Sequence, residues 1–266
     1  MIELHNHLLP GIDDGAADMA MALTMLSQMA DQGVSHAFCT PHLSFRRLGD
    51  LPAILGFIER CRQVFLQLQA ESTQLSQNVT LLLGYEIALT ADFFDVLEQL
   101  PDPQILGLGR SSYVLVEITS RSFLNTQTLE NFLYNFAAAG LQPILAHPER
   151  TLQDVDNSFI DHLAQWVQQG RLMLQLNASS VIDLNRPVDL PLLSGYRCRQ
   201  LTRFLLKNDL VQFVSSDAHD PLRRPPELLA AHDVLSRRFG QRVAQALVQE
   251  NAAAVVETVS DTKTEG

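Results

Sequence analysis

Cysteine, lysine and long apolar runs are all scarce in this chain, and each scarcity removes a class of function. Three cysteines, at 39, 61 and 198, cannot build a disulfide framework, and no Cys-x-x-Cys pair offers zinc or redox chemistry. Only Lys207 and Lys263 are lysines; the other basic residues are all arginines. Chemistries that need a lysine at a strand end, such as a carbamylated-lysine barrel or a Schiff-base aldolase, are therefore disfavoured. Basic charge is also short overall, with 19 Lys+Arg against 30 Asp+Glu and a formal net charge of −11. A protein that tracks nucleic-acid backbones needs a basic face, so that role is excluded for the general surface. No apolar run approaches the ~20 residues that span a bilayer. The opening Met1-Ile2-Glu3-Leu4-His5 lacks the basic and apolar regions of a signal peptide, so a cytoplasmic, reducing address is expected.

What is present is a foldable globular chain: 266 residues, 46% hydrophobic and 18% charged. Short β-rich runs occur at 2–5, 35–40, 79–84, 112–118, 142–146, 172–177 and 211–216. Between them lie stretches of helical spacing, at 19–29 before Gly33, then 52–70, 128–139, 158–169, 198–207 and 227–239. The strand runs read as continuously apolar, as expected when helices cover both faces of a sheet. Seven strands alternating with helices predict an α/β barrel or an open doubly wound sheet. No linker divides the chain. The stretch 178–196, with prolines at 187 and 191 and no period, is expected to be irregular, and the polar residues from 258 onward to be a frayed tail.

Each run ends in a polar residue. The first closes on His5-Asn6-His7, the second on Thr40-Pro41-His42 and the third on Gly84-Tyr85-Glu86. Glu117 ends the fourth, His147-Pro148-Glu149-Arg150 the fifth, Asn177 the sixth and Asp217-Ala218-His219 the seventh. The carboxyl edge of such sheets is where catalytic groups converge. Imidazoles and carboxylates without cysteine suit divalent metals that prefer nitrogen and oxygen. His5-x-His7 places two imidazoles on one side of an extended chain. Gly11-Ile12-Asp13-Asp14-Gly15 reads equally well as a simple turn, with Asp18 capping the next helix. His36, His162 and His232 read as ordinary surface or core histidines. A cysteine-based tyrosine phosphatase needs Cys-x5-Arg, but Phe45, Gln67 and Phe204 stand six residues after the three cysteines. There is no Gly-rich phosphate loop and no dinucleotide fingerprint.

The N-terminal His-x-His, the Thr-Pro-His and the Ser-Asp-Ala-His resemble the PHP (polymerase and histidinol phosphatase) superfamily. The segments IELHNHLLPGIDDGA, GYEI, VLVEI, AHPER and SSDAHDPLRRPP are most similar to the PHP-type bacterial tyrosine-protein phosphatases of capsule and exopolysaccharide loci. The resemblance runs from residue 1 to about 250 and keeps the order of the family's motifs. It implies a distorted seven-stranded (β/α)7 barrel of PHP type, a single domain over 1–257, and a site for three divalent ions. Carried over by motif, the first ion takes His5, His7, Glu86 and Asp217. The second shares Glu86 and adds Glu117 and His147, and the third takes Asp14, His42 and His219. Mn, Fe, Zn or Co would suit these donors, with Mn favoured. Arg150 and Arg224 match the family's phosphate-binding arginines.

The implied activity is hydrolysis of phosphotyrosine on a protein, a cognate bacterial tyrosine kinase, by direct attack of a hydroxide bridging two ions about 3.5–4 Å apart. The implied partners include no nucleic acid and no membrane insertion, and homo-oligomerisation stays open. The alternatives are a PHP phosphatase for a small phosphate monoester such as histidinol phosphate, a PHP exonuclease, which the acidic balance disfavours, and a metal-binding barrel without activity, which the complete ligand set disfavours. The chain departs from Gram-positive relatives around 44–50, 119–128 and 181–199, the expected rim loops. Arg46, Arg47 and Arg121 lie in two of these, either as contacts for an acidic peptide or as solvated surface residues.

Overall fold

The computed structural model describes residues 1–74, 78–90, 93–120, 124–185 and 195–259. Nine strands are described: β1 (Ile2–Asn6), β2 (His36–Cys39), β3 (His42–Leu43), β4 (Thr80–Leu83), β5 (Glu86–Ala88), β6 (Tyr113–Glu117), β7 (Gln142–Ala146), β8 (Met173–Asn177) and β9 (Phe213–Ser215). All pair in parallel, in two sheets ordered β1-β2-β4 and β3-β5-β6-β7-β8-β9. An isolated parallel bridge between Asn6 and Ala218 joins the end of β1 to the segment after β9.

Nine segments are described where seven runs were expected, and the difference has a local cause: two of the expected strands are interrupted. The run at 35–40 breaks at Thr40-Pro41 and resumes as β3; the run at 79–84 breaks at Gly84-Tyr85 and resumes as β5. Proline brings no N–H to a ladder. Backbone bonds nevertheless carry across both breaks, from Thr40 N to Asn6 O at 2.9 Å, Gly84 N to Cys39 O at 2.9 Å and Glu86 N to Pro41 O at 3.1 Å. At the second break a Cβ on Gly84 would lie 2.6 Å from the Leu108 side chain, so the glycine admits the short 3-10 turn Leu108–Arg110 beside β4. As a result His42 and Glu86 begin new strand segments and pair with each other in register.

The helices are α1 (Met19–Asp31), α2 (Phe45–Leu48), α3 (Leu51–Gln74), α4 (Phe93–Leu97), α5 (Thr126–Ala138), α6 (Pro148–Thr151), α7 (Asn157–Gln168), α8 (Ala178–Ile182), α9 (Tyr196–Lys207), α10 (Leu228–Phe239), α11 (Gln241–Gln245) and α12 (Asn251–Glu257). α7 shows the local logic. The Asp156 side chain accepts from Phe159 N at 2.8 Å, and Phe159, Leu163, Trp166 and Val167 form the buried stripe at helical spacing. Asp18 caps α1 in the same way through Met21 N at 2.9 Å. The stretch expected to be irregular instead begins as a helix: α8 buries Ala178, Ser180 and Val181 directly after β8, where packing overrides weak helix propensity. Residues 186–194, Arg121 and most of the polar tail lie outside the described residues. Arg46 and Arg47 sit exposed on α2.

Among the described residues two apolar clusters form. The larger lies between strands and helices. The smaller gathers Ile2 and Leu4 of β1, Phe38 of β2, Leu115 of β6, Ile144 and Ala146 of β7 and Phe213 of β9, with Ala252 and Val255 of α12 packed into it. Strands from both sheets thus converge on one interior, and buried Asn6, His7, His147, Asn177, Ser216 and Asp217 lie at or just beyond the carboxyl ends of β1, β7, β8 and β9. Among the described residues no helix is long and apolar enough to cross a membrane.

Candidate metal centre

Glu86, fully buried at the head of β5, is the hub. Its Oε2 lies 3.3 Å from His5 Nε2, 3.3 Å from His7 Nε2 and 2.9 Å from His42 Nδ1, while Oε1 is 2.8 Å from His147 Nε2. Asp217 is the second hub, with Oδ1 at 3.5 Å from His5 Nε2, 3.4 Å from His7 Nε2 and 3.5 Å from His219 Nδ1. Asp14 reaches His42 Nε2 at 3.3 Å and His219 Nε2 at 3.6 Å, and Glu117 lies 3.5 Å from His42 Nδ1. All nine residues singled out as metal ligands from the sequence meet here.

Four overlapping groups have ligand atoms within 4.8 Å of one another: His7, Asp14, His42 and His219; His5, Glu86 and His147; His5, His7 and Asp217; and His42, Glu86 and Glu117. The partition differs in detail from the one the resemblance implied. Glu117 groups with His42 and Glu86 rather than with His147, and His7 joins the Asp14 group. His36, His162 and His232 stay apart, beside Ser35, the Ser158 carbonyl and Asp233 respectively.

Burial and mutual charge set the ionisation of this cluster. Burial alone would lower the imidazole of His5, but Glu86 and Asp217 outweigh it and raise it to about 8. His7 is raised well above its ordinary value against the same burial penalty by Asp13, Asp217 and Glu86. Glu86 and Asp217 are held low despite burial by the surrounding imidazoles. His219 is pushed down to about 4 by burial and by His7, so its ring is neutral at pH 7. Glu117 is raised by burial and by Glu86.

The donor set fits divalent cations. It is all imidazole and carboxylate, and Glu86 Oε2 and His42 Nδ1 are buried without a hydrogen-bond partner although they face each other. One ring nitrogen of each of two histidines is already engaged: His7 Nδ1 meets Asp13 Oδ2 at 2.7 Å and His219 Nδ1 meets the Asp217 carbonyl at 2.9 Å. Their Nε2 atoms then face inward with free lone pairs in the neutral ring, the arrangement that metal-binding histidines use. Two site residues, His147 at φ 32° and Asp217 at φ 54°, occupy the left-handed region without being glycine. Such strain costs on the order of 1–3 kcal/mol each and concentrates at functional sites.

Both candidate phosphate-binding arginines converge on one atom. Arg150 Nη1 donates to Asp217 Oδ2 at 3.0 Å and Arg224 Nη2 donates to the same oxygen at 2.8 Å, each guanidinium being partly exposed. Arg150 also lines a cleft of about 300 Å³ whose apolar wall is Ile118 and Leu124.

Four contributors went unselected in the sequence. Asp13 accepts from His7 Nδ1, from His42 N at 3.0 Å and from Gly15 N at 3.0 Å. A Cβ on Gly15 would lie 2.1 Å from the His7 carbonyl oxygen, so the Asp13–Gly15 loop packs directly on the site. Gln175 and Asn177 of β8 reach His5 and Asp217, and buried Glu149 accepts from Asn177 N at 3.0 Å. Asn177 and Glu149 stood at strand ends and so carried a signal; nothing local distinguishes Asp13 from Asp14, or marks Gln175.

A family model described as capsular polysaccharide synthesis, CpsB/CapC, matches residues 1–257. Tyrosine-protein phosphatase YwqE of Bacillus subtilis is 30% identical over 256 residues, covering 95% of this chain and 90% of that protein. Tyrosine-protein phosphatase CpsB of Streptococcus pneumoniae is 26% identical over 261 residues, covering 96% and 98%. The fold matches a crystal structure from work on those two proteins, described as metal-dependent tyrosine phosphatases, with a TM-score of 0.72 and 23% identity over 97% of this chain and 94% of that one. With its family model matched from end to end of the described helices and strands, the chain belongs to the CpsB/CapC family of capsular polysaccharide synthesis.

Proposed function

We propose that this chain is a metal-dependent protein-tyrosine phosphatase, a phosphoric monoester hydrolase whose substrate is phosphotyrosine on a bacterial tyrosine kinase or a comparable regulator of exopolysaccharide synthesis. In this reading residues 1–257 form one domain in the cytoplasm, a distorted seven-stranded barrel in which β2 with β3, and β4 with β5, each count as one interrupted strand. The observation that carries the reading is the buried cluster of nitrogen and oxygen donors around Glu86 and Asp217, with two arginines at its edge.

His5, His7, Asp14, His42, Glu86, Glu117, His147, Asp217 and His219 would hold three divalent ions, with manganese favoured. Bound there, such ions supply Lewis-acid polarisation of a phosphoryl group and lower the pKa of water toward neutrality. Arg150 and Arg224, both donating to the Asp217 carboxylate, would offer planar paired donors to the non-bridging phosphoryl oxygens. The cleft walled by Ile118 and Leu124 adjoins Arg150 and has room for the tyrosyl ring. A phenolate leaving group, pKa about 10, makes only a modest demand for protonation. A thiolate route has no support: burial holds the Cys39 thiol far up, raises Cys61 to about 12 and raises Cys198.

The deciding experiment offers metal-reconstituted protein a phosphotyrosine peptide, a phosphoserine peptide, histidinol phosphate and single-stranded DNA. Phosphotyrosine peptide is expected to show the highest kcat/KM. Comparable or faster turnover of histidinol phosphate would replace this reading with that of a small-molecule phosphatase.

A further inference from the structure

Strand β8 contributes none of the nine candidate ligands, yet its two buried amides, Gln175 and Asn177, touch two of them. We propose that Gln175 and Asn177 are positioning residues that fix the ring tautomer of His5 and the orientation of the Asp217 carboxylate. The inference rests on the metal-centre reading only for its binding arm.

The hydrogen bonds leave one assignment. Gln175 Nε2 lies 2.7 Å from the Leu176 carbonyl oxygen and 3.2 Å from Asn177 Oδ1. A carbonyl oxygen only accepts, so that end of Gln175 is the amino group and Oε1 is the acceptor. Oε1 is 2.9 Å from His5 Nδ1, which must therefore carry the hydrogen. In the neutral ring the lone pair then sits on Nε2, the atom 3.3 Å from Glu86 and 3.3 Å from His7 Nε2. The same chain sets Asn177. Its Oδ1 accepts from Gln175, so Nδ2 donates to Asp217 Oδ2 at 2.7 Å. That leaves Asp217 Oδ1 as the oxygen facing His5, His7 and His219. Asn177 N is in turn held by Glu149 Oε1 at 3.0 Å. Residues 175 and 177 lie two apart on one face of the strand, so a single backbone register aims both. Reversal of either amide would break the bond to its own ligand and the bond between the two amides.

The test uses Gln175→Leu, close in shape but without polar atoms. Long-range 15N–1H NMR of the metal-free protein, above the imidazole titration range, reads the His5 tautomer. Calorimetry with Mn2+ reads affinity. The expected result is a His5 ring divided between tautomers and Mn2+ binding weakened about 10- to 100-fold, the range seen when partners of metal ligands are removed. A His5 ring still wholly protonated on Nδ1, with affinity within about twofold of wild type, overturns the proposal. If that variant does not fold, Asn177→Leu decides. Gln175 there still accepts from His5 Nδ1 while Asp217 Oδ2 loses its amide donor, so the tautomer should persist while Mn2+ binding weakens; unchanged affinity there also overturns it. Wild-type protein that binds none of Mn2+, Fe2+, Zn2+ and Co2+ would refute the metal-centre reading instead, and the tautomer of His5 in Gln175→Leu would still decide this one.

Discussion

Replacing Asp13 with alanine should destabilise the metal-free protein by about 2–3 kcal/mol, and the structure gives that figure by two routes. In the first, Asp13 accepts three hydrogen bonds, and its loss strands the Nδ1 hydrogen of His7, itself fully buried, together with the backbone N–H of His42. A donor left buried without a partner costs about 1–3 kcal/mol, and partial access of water to this loop keeps the sum near the middle of that range. In the second, the Asp13 carboxyl is lowered from 3.8 to about 2, chiefly by His7 acting against burial. At 1.36 kcal/mol per unit that shift is worth roughly 2 kcal/mol. The sign is definite. A carboxyl lowered in the folded state contributes stability above its unfolded value, and that contribution fades as pH falls from about 4 toward 2. Urea unfolding of the metal-free wild type and Asp13→Ala at neutral pH measures the loss, and a repeat in acid measures its decline. A difference below about 0.5 kcal/mol at neutral pH would show that Asp13 is not the anchor of His7.

Other outcomes follow from the same geometry. Because His5 is raised to about 8 in the metal-free site and His7 is raised as well, an ion must displace their protons; Mn2+ affinity should rise with pH through the neutral range to at least about 8, and a pH-independent affinity measured by calorimetry would contradict this. Arg150→Ala and Arg224→Ala should each lower kcat/KM for a phosphotyrosine peptide by about 10²-fold. Since both arginines reach Asp217 Oδ2, the double variant should lose less than the product of the two, which steady-state kinetics on all four proteins will show. Iodoacetamide treatment should leave turnover intact, because burial keeps the Cys39 and Cys61 thiols protonated and out of reach; inactivation traced by mass spectrometry to either one would reopen a thiolate route.

The alternation of strand and helix was readable because each α/β unit writes its own local pattern: the stripe of α7 and the capping Asp18 of α1 lie within a few residues of what they stabilise. The interruptions at Thr40-Pro41 and Gly84-Tyr85 were not. Whether a chain resumes pairing after a break depends on a neighbouring strand, and β3 and β5 pair with each other. The candidate ligands could be selected because strand ends repeatedly carried His, Asp or Glu. Their supports were harder to see. Gln175 looks like one polar residue in an otherwise apolar run, and its role depends on His5, 170 residues away in sequence. Asp13 and Asp14 are adjacent acids in one turn, and only the fold turns the first toward His7 and the second toward His42 and His219. The helix α8 was hidden because Ser179, Ser180, Val181 and Ile182 are weak helix formers, and the burial of Ala178, Ser180 and Val181 holds it instead.

The most direct measurement is phosphate release from a phosphotyrosine peptide by protein stripped with a chelator, then dialysed and resupplied with Mn2+. The account predicts that turnover disappears on stripping and returns with the ion in wild type, while Glu86→Gln, which removes a charged oxygen from the hub shared by His5, His7, His42 and His147, stays inactive under both conditions. Turnover by the stripped protein equal to that of the resupplied one would contradict it.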